Sequence, residues 1–172
     1  MKTPVGLVTV SLTAAILLSA TALGFAQDNK KGKAVTNNSN TRIHNPAGMH
    51  KPVGYSHVAE VTGGKLVYIA GQVAMDASGN LVGKDDFAAQ VAQVFANLKT
   101  AVEAAGGTLK DVIKMNTYIA DSVDPSMMTA FRETRDKHVN TANPPASTAV
   151  VVRRLVRPEW LVEIEAVAVV NK

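Results

Sequence analysis

Glu163 and Glu165 are the residues best spaced for acid–base chemistry in this sequence. They lie in an alternating run, Val162-Glu163-Ile164-Glu165-Ala166-Val167-Ala168. In a strand, residues two apart share one face at about 7 Å. At that spacing one carboxylate can raise the other's pKa and leave a general base. The competing reading is a pair of ordinary charges, facing solvent or pairing with Arg153 or Arg154. For Glu165 that reading is preferred, and for Glu163 both stand.

Other chemistry is narrowed by composition. The chain has no Cys, which removes disulfides, thiolate nucleophiles and Cys-metal sites. The histidines His44, His50, His57 and His138 show no metal-ligand spacing, and His57 and His138 are expected at the surface or in packing. No metal or cofactor is expected. The Gly-Gly pairs fall in turns and form no phosphate loop. Spacing alone argues no Ser-His-Asp set, because triads assemble in space.

The carboxylates need a scaffold, and the pattern supplies one. Tyr55 to Val61 and Lys65 to Val73 read as strands, joined by Thr62-Gly63-Gly64 as a hairpin. Phe87, Val91, Val94, Phe95, Leu98, Val102 and Ala105 repeat at helical spacing, with Asp85 or Asp86 as cap and Gly106-Gly107 as stop. Val112 to Ala120 is a third strand. Asp124-Pro125 opens a second helix to about Val139. Ala146 to Arg154 and Leu161 to Val170 complete the order β-β-α-β-α-β-β. That order predicts an α+β sandwich with both helices on one sheet face, and a partner subunit on the other.

The first 26 residues read as a cleaved export signal: Lys2, an uncharged stretch from Val5 to Ala22, then Gly24-Phe25-Ala26. An uncleaved anchor is the competing reading, because an apolar run of about 20 residues can span a bilayer. Residues 27–41 lack apolar periodicity and are expected to be a disordered linker, leaving 42–172 as the folded domain. The net charge of +4 belongs to the leader, the linker and Arg42. From residue 43 onward thirteen Lys and Arg balance thirteen Asp and Glu. A neutral domain gives no reason to expect a nucleic-acid partner, and no His-His or His-Lys pair for RNA cleavage is evident. The expected location is periplasmic or secreted, with no membrane contact after cleavage.

The element order and several short strings together resemble the Rid, or YjgF, family over roughly Arg42 to Val170. Those strings are Tyr68-Ile69-Ala70-Gly71-Gln72, Asn97-Leu98, Val102-Glu103-Ala104-Ala105-Gly106, Asp111-Val112-Ile113-Lys114, Pro144-Pro145-Ala146-Ser147-Thr148 and the Glu163 run. The resemblance implies a chorismate-mutase-like fold and a homotrimer around a β-barrel, with small-molecule clefts between subunits. RidA-type members hydrolyse enamines and imines to keto acids and ammonia. An arginine grips the substrate carboxylate, and a glutamate with backbone groups orients water.

Carried onto this chain, Glu163 takes the water-positioning slot and Tyr55 matches the tyrosine that closes the cleft. Gly71 matches a glycine whose backbone approaches the ligand. A packing tyrosine and a plain strand glycine are the competing readings for these two. Ser147 stands where the arginine should be, Ala149 replaces a cysteine, and Ala70 replaces a serine. Arginine offers a bidentate fork and serine one neutral donor, so an imine bearing a carboxylate should bind more weakly. Arg153 shares Ser147's strand parity but lies about 20 Å along the strand. The resemblance therefore implies a hydrolase, with a non-catalytic small-ligand-binding trimer as the alternative.

Overall fold

The computed structural model describes residues 40–171. The expected signal and all of the expected linker up to residue 39 lie outside the described residues. Six strands, two α-helices and two short 3-10 turns are formed: β1 (Thr41–His44), β2 (Val58–Val61), β3 (Lys65–Gln72), α1 (Phe87–Ala104), β4 (Val112–Ala120), α2 (Met128–His138), β5 (Ala146–Val152) and β6 (Val162–Val170). The main sheet runs β3-β6-β4-β5, antiparallel except for the β4–β5 pair. Both helices pack on one face of it, as the α+β expectation required.

The sequence pattern accounts for α1 in detail. Asp86 accepts a hydrogen bond from Ala89 N, and the apolar stripe from Phe87 to Val102 is buried. Each such side chain contributes about 1.5–3 kcal/mol by leaving water. Gln90 lies in the same stripe and is fully buried. Its amide donates to the Gly83 and Glu159 carbonyls and accepts from Leu161 N. It thereby fastens the helix to the chain entering β6. Asp124 accepts from Ser126 N as a cap, but the turn at Pro125–Met127 is 3-10, and α2 proper begins at Met128.

Two expectations are corrected. The residues around Thr62-Gly63-Gly64 do not close a hairpin, because β2 pairs with β1 and β3 pairs with β6. Gly64 instead adopts φ +85° against Val169 and the Val170 carbonyl, carrying the chain from one sheet to the other. β1 is itself an unexpected strand, and it starts at Thr41, a residue assigned to the linker. Thr41 and Ile43 are buried there while Arg42 faces out. Ile43 packs with Ile113 and Val169, which seats the small β1–β2 sheet on the helix-free face of the main sheet. The rest of that face leaves Leu66, Tyr68 and Val150 exposed. Among the described residues no helix is long and apolar enough to cross a membrane.

Candidate functional site at the Gly71 bulge and the Tyr55 loop

The end of β3 is irregular where it matters. Ile69 pairs with Ala166 and Gln72 with Ile164, so one extra residue enters β3 at Ala70-Gly71. A bulge of this kind bends the strand and re-aims what lies beside it. Asn97 on α1 holds the chain just beyond, donating to the Val73 and Met75 carbonyls, and Gln93 donates to its side-chain oxygen. Gly71 is thereby set beneath the Glu163 side chain. A Cβ built on Gly71 would lie 2.8 Å from Glu163 Cδ and 3.0 Å from its Cγ. Only glycine leaves that space open.

Glu163 and Glu165 share the helix-free face, opposite Tyr118 and Asn116 of β4. Their surroundings differ. Glu165 Oε1 accepts from Asn116 Nδ2 at 2.6 Å and from the Tyr118 hydroxyl at 3.3 Å. It is a held, half-buried carboxylate, which corrects the reading of a solvent charge or an arginine partner. Arg154 donates instead to the Leu155 and Val156 carbonyls. Burial pushes the Tyr118 phenol above its usual pKa, helped by the Glu165 charge and hydrogen bond and by the Glu163 charge. Glu163 receives no such hydrogen bond from any described residue. Its oxygens remain available as acceptors above the Gly71 backbone.

Ser147 and Ala149 belong elsewhere. Ser147 pairs with Met115 and Ala149 with Thr117, both buried on the helix side. Tyr118 pairs with both Glu163 and Val150, so Ser147 is two strands and three residues from Glu163. That is about 10 Å across and about 10 Å along, on the opposite side of the sheet. Within one chain the two do not meet. Arg153 lies just beyond the far end of β5, as distant from Ser147 as the sequence required.

Tyr55 goes with the Ser147 half. Ser56 forms a parallel bridge to Ala146, its N–H donating to the Pro145 carbonyl at 3.1 Å. The Tyr55 hydroxyl is hydrogen-bonded to His50 Nε2 at 2.7 Å, and His57 Nε2 donates to the His50 carbonyl at 2.9 Å. The His50 and His57 rings are 4.9 Å apart, and those of Tyr55 and His57 5.4 Å. Two histidines meet in this cluster, their Nε2 atoms bonding to a phenol and a backbone carbonyl rather than to each other. The irregular loop from His50 to His57 carries no periodicity from which it could be read. His138, by contrast, is the packing residue expected, stacked on Phe95 at 5.0 Å. Burial, with Lys99 and Lys137 nearby, pushes its imidazole below the usual range.

A further neighbour went unnoticed in the sequence. Gly54 (φ +73°) lies on the Arg135 guanidinium, so a Cβ there would be 3.2 Å from Arg135 Cζ and Nη1. Arg135 is mostly buried, and its Nε and Nη2 pair with Asp136 Oδ1 at 2.8 and 2.7 Å. A cavity of about 680 Å³ lies away from all these groups between Asp85, Asp124 and Glu159. Its Asp86 and Asp124 are spent as caps. A smaller one of about 480 Å³ lies on the helix-free face among Tyr68, Ala70, Lys114, Asn116, Glu165 and Val167. No group of three His, Asp or Glu among the described residues could hold a metal ion.

Two helices on one face of a four-stranded sheet whose edge strand β3 is bulged define an α+β sandwich. The family described as Endoribonuclease L-PSP matches residues 48–170. The chain belongs to this family, also known as YjgF, Rid or RutC. A RutC family protein of Pyrococcus horikoshii is 38% identical over 119 residues, 69% of this chain and 89% of that protein. A Rid-family protein of unknown function from Yersinia pestis has a similar structure, with TM-score 0.67 and 38% identity over 76% of this chain and 99% of its own. A RidA from an Antarctic Psychrobacter gives TM-score 0.55 and 32% identity, covering 80% of this chain and 98% of its own.

Proposed function

We propose that this chain is an exported Rid-family hydrolase of imines, enamines or related small carbonyl compounds. Its clefts lie between the subunits of a homotrimer. Water adds to the C=N carbon and ammonia departs, leaving a carbonyl product. The observation that carries this reading is the Glu163 carboxylate, seated over the Gly71 backbone with no donor from the described residues. A carboxylate so placed orients water and takes up its proton during attack, the role of a general base. The trimer reading rests on the exposed Leu66, Tyr68 and Val150 of the helix-free face and on the separation of Ser147 from Glu163, which a neighbouring subunit would close.

Ser147 favours a second reading, a trimer that binds a small ligand without turning it over. An amino-acid oxidase that generates imines in situ, with keto-acid release followed, separates the two. Hydrolysis predicts turnover by the purified protein and a fall of about 10²- to 10⁴-fold in Glu163→Gln. A silent wild type beside an active Ser147→Arg variant would leave the binding reading in its place.

A further inference from the structure

We infer that Arg135 supplies the cation of the Tyr55 half of the cleft and binds a small carboxylate there. The inference rests on the reading of that half as a ligand site. Three observations carry it. The first is position. Ser147 faces the helix-bearing side of the sheet, where α2 lies, so a guanidinium from α2 reaches the side on which Ser147 offers only a hydroxyl. The second is contact. The Tyr55 loop rests on this guanidinium at Gly54, and two residues later Ser56 is hydrogen-bonded to the Pro145 carbonyl. Two residues of chain span at most about 7 Å, which ties the loop seated on Arg135 to the start of β5. The third is valence. A guanidinium has five N–H donors. Among the described residues the only side-chain acceptor for Arg135 is one oxygen of Asp136, a half-exposed neighbour that binds through Nε and Nη2.

The arrangement suits an anion. The side chain of Arg135 is only 12% exposed, so it is shielded from water, and a charge-assisted bond gains strength where water is excluded. The loop that touches it at Gly54 also carries the Tyr55 hydroxyl and the His50 and His57 imidazoles. Gly54 is required for the fit. A side chain at that residue would displace the guanidinium, and φ +73° already favours glycine.

The test is calorimetric titration of the full-length protein with 2-oxobutyrate, a small keto acid. Arg135→Gln should weaken binding about 10- to 100-fold, the worth of a lost charge-assisted pair. Arg135→Lys should recover part of it. Asp136→Asn, which frees the guanidinium from its competitor, should tighten binding several-fold. Unchanged affinity in Arg135→Gln overturns the inference, as does failure of the wild type to bind the keto acid. If Arg135→Gln does not fold, Asp136→Asn decides alone, and no change there overturns it. The hydrolase reading fails separately. A protein that binds 2-oxobutyrate through Arg135 and yet leaves imines intact keeps this site and loses the catalytic role of Glu163.

Discussion

Replacing Gly71 by Ala is the sharpest perturbation of the candidate site. The new Cβ would stand 2.8 Å from Glu163 Cδ, whereas ordinary contact begins at 3.4 Å. The carboxyl carbon must therefore retreat by about 0.6 Å, and the oxygen nearest Gly71 by more. Because the obstructing atoms are the far end of a flexible side chain, the backbone need not move. The cost to stability should stay below about 1 kcal/mol, the scale of a half-exposed substitution. Catalysis should suffer far more, since a displacement approaching 1 Å costs about 100-fold where a water must be aligned. The assay is keto-acid release from imines generated in situ, run beside a thermal melt. Full turnover in a folded Gly71→Ala protein would refute the assignment of Glu163, and a collapsed melting temperature would refute the claim that the side chain yields alone.

Three further substitutions follow from named contacts. Gln90→Leu strands the Leu161 N–H and two carbonyls inside the protein, so it should cost about 2–4 kcal/mol in chemical denaturation. The Tyr118 phenol is held above its usual range, so the folded state favours its neutral form. Its contribution to stability is complete below about pH 10 and is lost as pH rises through the raised value. Glu165→Gln should bring the phenol's absorbance titration back down. For His138 the sign is opposite. Burial depresses its pKa, so its contribution is present above the ordinary histidine value of about 6.5 and falls away with acid. His138→Phe, which keeps a ring on Phe95, should flatten the drop in melting temperature between pH 7 and pH 5, and an unchanged slope would exclude His138 as its source.

The parts of the fold legible in the sequence are those where one periodicity dominates a long segment. The α1 stripe and the alternations of β4 and β6 were of this kind. β1 was not, because four residues with a single large apolar side chain, Ile43, look like the polar chain before them. The Gly63-Gly64 turn misled because glycine's conformational freedom says that the chain turns, and not which strand it meets next. The same division holds at the site. Glu163 and Gly71 could be named from local strings, but their contact depends on a bulge created by pairing with β6. His50, Tyr55 and His57 come together in an irregular loop whose Gly54 meets Arg135 on a helix about eighty residues away, and no spacing rule links them.

The separation of Glu163 from Ser147 leads to the last prediction. A single chain places the two on opposite sides of its sheet, so a cleft containing both requires two chains. The helix-free face is suited to that contact: Tyr68, Leu66 and Val150 are exposed there at 77%, 47% and 42%. Placing a charge on it with Val150→Asp, on the edge strand β5, should leave the helices and their core untouched, since that side chain points away from them. In a trimer the substitution occurs three times over, and each buried, unpaired carboxylate costs several kcal/mol. Light scattering should then report a monomer whose circular dichroism matches that of the wild type. Such a monomer should lose turnover and tight ligand binding together, because each cleft would keep only one of its halves. A folded monomer with intact activity would place the whole site within one chain, and neither the Glu163 half nor the Arg135 half would then need its neighbour.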